Sequence, residues 1–237
     1  MAKFQTTRWS LVLAASDQSQ ERRRDALAGL FESYWFPIYA FARGQGYSEE
    51  DASDLVQGYF AGLIEGEKLR GLEPAAGRFR SFVIVSARNF FNNERERIAA
   101  QKRGGGKALE SLDSMAAERR LANEPVSPAD AEFAFERRWA ETVVARARKR
   151  LRDELIEAGH EDRFELLGGL LSSSGVTHGY REIAERLNLT EAGVKSLAHR
   201  LRKRFGVLLR GEVLQTVDRA EEVEDEIRYL LAVLSRN

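Results

Sequence analysis

The amino-acid sequence predicts an all-α fold: two helical domains joined by a linker, with a helical C-terminal tail. Three observations carry this expectation. Apolar residues recur at three- and four-residue spacing through most of the chain, and no stretch alternates convincingly as a strand would. Only four prolines occur, at positions 37, 74, 125 and 128. Capping residues and glycines punctuate the periodic segments where helices should start and stop. A chain of 237 residues, 43% hydrophobic, is long and apolar enough for one or two packed domains.

The first helix is expected from about 21 to 44, with Leu27, Leu30, Phe31, Tyr34, Trp35, Ile38 and Phe41 at helical spacing. Pro37 should kink it or locally break its hydrogen-bond ladder, and Gly44 and Gly46 should end it. Ser48 followed by Asp51 is a capping-box signal for a helix through Ile64, whose apolar face carries Leu55, Tyr59 and Leu63. A third helix is expected from 78 to about 102, with Phe79, Phe82, Val83, Ala87, Phe90 and Phe91 apolar, stopped at Gly104-Gly105-Gly106. These helices form an expected domain at 1–104, followed by a linker at 105–127. The second domain is expected at 128–211. It opens on Ser127-Pro128-Ala129-Asp130, a helix-start pattern, and its first helix carries the stripe Phe135, Trp139, Val143, Ala147, Leu151 and Leu155. A shorter helix over about 162–171 and a loop at Ser172-Ser173-Ser174-Gly175 come next. The tail, 212–237, is amphipathic through Leu214, Val217, Val223, Ile227, Leu230, Leu231 and Leu234.

Formal net charge is zero, from 37 basic and 37 acidic residues, but the charge is segregated. Between Arg88 and Lys107 six bases stand against two acids. Between Lys195 and Arg210 there are six bases and no acid, and between Glu212 and Arg228 seven acids stand against two bases. Two acid-poor runs on helices point to a polyanion. The adjacent acidic tail is expected either to cap the second domain or to shield the basic helix beside it.

The segment 180–209 is the most informative. Tyr180, Ile183, Ala184 and Leu187 make a short amphipathic helix, and Asn188 suits the left-handed turn that follows. Leu189 is expected to plug the corner and Thr190 to cap the next helix, with Glu191 in its first turn. That helix should bury Val194, Leu197, Leu201 and Phe205 while showing Lys195, Ser196, His199, Arg200, Arg202 and Lys203. This is the pattern of a helix-turn-helix, whose second helix lies in a major groove and donates to bases and phosphates. In the other basic run, Phe79, Phe82, Phe90 and Phe91 interleave with Arg80, Arg88, Arg95 and Arg97 and with the amides Asn89, Asn92 and Asn93. Aromatics stack unpaired bases, arginines hold the backbone, and amides read base edges.

An enzyme is not expected. The histidines, 160, 178 and 199, lack metal-site spacing, and Gly104–Lys107 lacks the spacing of a phosphate loop, so neither metal nor cofactor is implied. The absence of cysteine excludes disulfides and thiolate metal sites and fits a cytoplasmic location. No apolar run approaches the length of a spanning helix, and the N-terminal stretch lacks the apolar core of a signal peptide.

The stretch Asp51-Ala52-Ser53-Asp54-Leu55-Val56-Gln57-Gly58-Tyr59-Phe60 resembles the D-x-x-D-L-x-Q-x-x-F signature in region 2 of sigma-70 family RNA polymerase sigma factors. Tyr34-Trp35-Phe36-Pro37-Ile38-Tyr39, Phe79-Arg80-Ser81-Phe82 and Ala87-Arg88-Asn89 are similar to region 2 of the extracytoplasmic-function group, and the helix-turn-helix resembles region 4. Thr6-Thr7-Arg8-Trp9-Ser10 and Glu136-Arg137-Arg138-Trp139-Ala140 look like marks of one subgroup. The resemblance implies a bundle at 1–104 that binds core RNA polymerase and opens the −10 element, and a domain at 128–211 that reads the −35 element. Asp51, Asp54, Leu55, Gln57 and Phe60 would meet polymerase, whose implied surfaces are the clamp coiled coil of its largest subunit and the flap. Arg80, Arg88, Asn89, Asn92, Asn93, Arg95 and Arg97 would meet the −10 element of promoter DNA. Thr190, Glu191, Lys195, Ser196, His199, Arg200 and Lys203 would meet the −35 element. An anti-sigma factor is a further partner the resemblance admits. Gly58 stands where an acid often follows the glutamine, Asn188 replaces the common turn glycine, and Ala192-Gly193 reverses the usual order. The alternative reading is a conventional helix-turn-helix regulator that binds duplex DNA without polymerase.

Overall fold

Helix α1 (Gln20–Gly44) runs through Pro37 without ending there. The proline nitrogen cannot donate to the carbonyl one turn back, and burial of the whole run from Ser33 to Ala42 holds the helix across that gap. Helices α2 (Glu49–Ile64), α3 (Phe79–Gln101), α4 (Ala131–Glu157), α5 (Glu161–Leu167), α6 (Tyr180–Leu187), α7 (Glu191–Leu214) and α8 (Val223–Ser235) follow, with short 3-10 turns at Gly168–Leu171 and Ala220–Glu222. The computed structural model describes residues 20–64, 78–101, 131–171, 179–217 and 219–236. Those residues are helical with no strand among them, an all-α chain. The expected linker, its preceding glycines, the helix start at 127–130 and the serine loop lie outside them. So do the motif at Thr6–Ser10 and His178.

Three helix ends share one chemistry. At the ends of α1, α4 and α6 the chain turns through a left-handed residue, Gly46 (φ +88°), Gly159 (φ +71°) and Asn188 (φ +51°). In each case the next amide reaches back to an orphan carbonyl of the last turn: Tyr47 to Ala42, His160 to Leu155, and Leu189 to Ala184. Helix α2 starts as expected, with the Asp51 amide donating to Ser48 Oγ at 3.1 Å.

The chain divides into two compact units, Met1–Thr142 with Leu214–Asn237, and Val143–Val213. Helix α4 supplies residues to both. In the first unit the core is aromatic. Trp35 stacks on Tyr39 at 5.1 Å, Phe41 on Phe91 at 5.8 Å, and Tyr34 meets Phe79 edge-on at 5.4 Å. Phe135 and Trp139 of α4 are buried there too. Helix α8 belongs to this unit and buries Val223, Glu226, Leu230 and Val233.

In the second unit Val143, Ala147 and Leu151 of α4 share a core with Leu167 of α5, Ile183 of α6, and Val194, Leu197, Leu201 and Leu208 of α7. Glu212, near the end of α7, is buried and accepts from Arg146 Nε (3.1 Å) and Arg150 Nη1 (3.0 Å).

The tail therefore departs from the sequence expectation. Its helix α8 belongs with the first unit, and its acids do not act as one block. Its two buried acids go to different units: Glu212 to arginines of α4, and Glu226 to Arg78 and Arg80 at the start of α3. A buried carboxylate needs a fixed cationic partner, and α4 supplies it for Glu212 while the start of α3 supplies it for Glu226.

Candidate nucleic-acid interface

Helix α3 presents one side to a pocket. Phe82, Ser86, Asn89, Phe90 and Asn93 line it from α3, and Tyr59 and Leu63 from α2, enclosing about 270 Å³. Spacings of three and four residues put these α3 side chains on one face. Phe82, Phe90 and Ser86 are half-buried, whereas Asn89 and Asn93 are exposed, so the amides sit beside an apolar floor. The Tyr59 hydroxyl and Ser86 Oγ are 2.6 Å apart, and Ser86 donates to the Val83 carbonyl at 3.1 Å. With the serine proton so committed, Tyr59 is the donor to Ser86. Burial pushes the Tyr59 phenol well above its ordinary value, so it stays protonated.

Gly58 belongs to this arrangement. A Cβ there would lie 3.2 Å from the Phe90 ring. Glycine lets α2 approach that ring, and an acid at 58 would have to displace it.

The other sequence-derived candidates on α3 are distributed around the helix. Asn92 is exposed and is not among the residues lining the pocket. Arg95 is exposed, 5.1 Å above the Tyr47 ring, and donates to its hydroxyl at 3.1 Å. Arg97 pairs with Glu94 at 2.8 Å, and Arg88 pairs with Glu132 of α4. Arg80 is a correction. It is 4% exposed, its Nε donates to Glu226 at 2.7 Å and its Nη1 to Glu136 at 2.5 Å. A guanidinium committed to two carboxylates in the interior cannot also hold a phosphate. Desolvation opposes its charge, but its hydrogen bond to Glu226 and the charges of the two carboxylates outweigh it and raise its pKa.

On α2, Glu50, Asp51, Asp54 and Gln57 are exposed along one edge. Gln57 Nε2 donates to Ser53 Oγ at 3.2 Å, which holds that amide along the helix. Leu55 and Phe60, also expected at this contact, are buried in the core of the first unit. They face inward because apolar residues at these positions complete the packing stripe of α2. Their side chains pack behind the exposed acidic edge of α2.

In the second unit α6 and α7 form the expected pair of helices. Asn188 takes the left-handed position that closes α6, and the Gly193 amide donates to Thr190 Oγ1 at 3.1 Å, the expected cap. A Cβ on Gly193 would lie 3.3 Å from that oxygen, so the glycine makes room for the cap. Leu189 corrects the expectation: it is 44% exposed, because backbone hydrogen bonds and not its side chain close the corner. Val194, Leu197 and Leu201 are buried and Phe205 is half-buried. Glu191, Lys195, Ser196, His199, Arg200 and Lys203 are exposed on α7, with Lys195 Nζ 5.7 Å from the Tyr180 ring. No protein-family model, curated protein or solved structure matches this chain.

Sequence reasoning missed Tyr59, Leu63 and Ser86 as pocket residues and Arg204 as a tie within the second unit. Arg204 of α7 grips Glu154 of α4 at both oxygens, at 2.8 and 2.6 Å. The Arg204 hydrogen bond holds the Glu154 carboxyl below the ordinary carboxylate range. A depressed carboxylate contributes stability above its unfolded pKa, near ~4.3, and loses it as pH falls through the folded value. The pair is solvent-accessible, so screening keeps the contribution small. Glu154→Gln should flatten the acid limb of the second unit's stability below about pH 4, followed through amide NMR signals of residues 180–213.

Among the described residues no group of three His, Asp or Glu could hold a metal ion, and no helix is long and apolar enough to cross a membrane.

Proposed function

We propose that the chain is a transcription initiation factor of the sigma-70 type that works in the cytoplasm. It binds core RNA polymerase, captures an unpaired base of the −10 element on α3, and reads the −35 element with α7. The pocket on α3 carries the reading. Phe82 and Phe90 offer ring surface beside the amides of Asn89 and Asn93, the equipment for stacking one unpaired base and reading its edge. Energy gained by holding that base outside the duplex offsets the cost of unstacking it, a few kcal/mol. The exposed edge of Asp51, Asp54 and Gln57 suits a basic helical partner, and the exposed face of α7 suits a major groove.

Two pairs of substitutions separate the steps. Asp54→Ala and Gln57→Ala should weaken capture of core polymerase while leaving binding to a −35 duplex unchanged. Lys195→Ala or Arg200→Ala should do the reverse, costing roughly 1–3 kcal/mol where the contact is a specific base pair. Equilibrium binding of labelled core enzyme and of labelled duplex measures both. Unimpaired core binding by the Asp54 and Gln57 variants would remove α2 from the interface.

A further inference from the structure

Two arginines flank the first residue of α3, and one acid from the far end of the chain bridges them. Glu226 of α8 meets Arg80 Nε at 2.7 Å through one oxygen and Arg78 Nε at 2.9 Å through the other, while itself being 0% exposed. Tyr229, one turn along α8, covers the same pair: its ring centre lies 4.1 Å from Arg80 Cζ and 5.7 Å from Arg78 Cζ. The Trp139 ring of α4 lies 5.1 Å from Arg80 Cζ, and Glu136 accepts from Arg80 Nη1. Between the arginines, Phe79 inserts against Tyr34 and touches Phe82, the first pocket residue.

Burying these charges is costly, and apolar side chains of similar volume often stabilise as well or better. What an ionic clasp adds is direction. A guanidinium held by two carboxylates and an aromatic face has one acceptable position, whereas a leucine in the same space has several. Because α3 is a continuous helix, its start fixes where Phe82, Ser86 and Asn89 lie about one, two and three turns on. The hydrogen bond from Tyr59 to Ser86 supplies the second anchor, from α2.

We propose that α8 is a positioning element for the α3 pocket, with Glu226 and Tyr229 setting the placement of Phe82, Ser86 and Asn89 through Arg78 and Arg80. This rests on reading that pocket as the site of an unpaired base. The C-terminal helix then belongs to the DNA-opening apparatus of the first unit, and loosening it lowers opening without touching polymerase capture or duplex reading.

The test uses the full chain carrying Glu226→Gln, Tyr229→Ala or Tyr229→Phe, with two independent readouts. The first is backbone amide hydrogen exchange. The Gln and Ala variants should speed exchange selectively over residues 82–93, at a temperature where Trp35 and Trp139 fluorescence is still native. The second is affinity for a single-stranded oligonucleotide carrying 2-aminopurine. It should fall about tenfold, as expected for loss of a charged buried hydrogen bond coupled to the site, while binding to a −35 duplex stays as it was. Tyr229→Phe keeps the ring over the arginines but removes the hydroxyl that meets Glu136, so its exchange and affinity should fall between those of the unsubstituted chain and Tyr229→Ala. Unchanged exchange over 82–93, or faster exchange spread evenly through the first unit, would overturn the proposal. If the unsubstituted chain bound no oligonucleotide, the base-site reading would fail, and the exchange result would still decide whether α8 positions α3.

Discussion

Replacing Phe90 by alanine should weaken binding of unpaired −10 DNA by about ten- to a hundredfold, the ~1–3 kcal/mol that stacking one base on an aromatic ring supplies. The ring is half-buried on the pocket wall, 5.9 Å from Tyr59 and against Gly58. Alanine removes both the stacking face and some packing, so Phe90→Leu is the decisive companion. Leucine keeps apolar volume against Gly58 and lacks the π face. The leucine chain should therefore stay folded and lose most of the affinity as well. Asn89→Ala should impair opening and leave core binding intact. A permanganate footprint of the −10 element, run beside a core-binding assay, separates the two effects. A Phe90→Leu chain that opens promoters normally would place base capture elsewhere.

The largest stability effect is expected at Arg80. Removing the guanidinium by Arg80→Ala strands buried Glu226 and half-buried Glu136, with half-exposed Arg78 still beside Glu226. Breaking a buried pair from one side costs roughly 3–5 kcal/mol. The chain has three tryptophans, at 9, 35 and 139, none of them in Val143–Val213. Tryptophan fluorescence therefore follows the first unit alone. Urea melts read that way should shift to lower midpoint for Arg80→Ala. Replacing all three members with apolar residues, Arg80→Met with Glu226→Leu and Glu136→Leu, should restore much of the loss, since the penalty lies in the stranded charges. Glu136 adds a pH signature. Burial first, and the Glu226 charge after the opposing Arg80, hold its carboxyl above the ordinary range. A carboxyl raised on folding contributes stability below its unfolded pKa and loses it as pH rises through the folded value. Glu136→Gln should accordingly lessen the decline of first-unit stability above about pH 4.

Much of the fold was legible because local chemistry wrote it. Ser48 with Asp51, Asn188, and Thr190 with Gly193 are short-range arrangements, and their roles follow from side-chain reach alone. The helix-turn-helix stripe of Val194, Leu197 and Leu201 was equally plain, because one period decides it. What stayed hidden depends on contacts between segments far apart in sequence. Arg80 sits in a run of basic and aromatic residues that reads as a DNA-facing helix, yet its partners stand 56 and 146 residues away. Glu226 reads as one more acid in a solvated tail, and nothing in its neighbours marks it as buried. Leu55 and Phe60 belong to a motif whose exposed and buried members alternate around α2, so the motif does not say which of its residues face outward. The pocket amides Asn89 and Asn93 were found by residue type. Tyr59 and Ser86 were not, because a tyrosine on an apolar stripe looks like core until its hydroxyl partner is located. The sigma-factor reading, by contrast, rests on the order of motifs and on the chemistry of these surfaces.

Run-off transcription on a promoter library measures the central claim most directly. Core RNA polymerase with the full chain should yield transcripts from a sequence-defined subset of promoters, and core enzyme without it should not. Asn89→Ala and Arg200→Ala should each reduce that output at different steps, opening and duplex recognition. If the chain bound duplex DNA tightly by itself and gave no promoter-specific transcript with core polymerase, it would be a conventional helix-turn-helix regulator and the proposed function would be wrong.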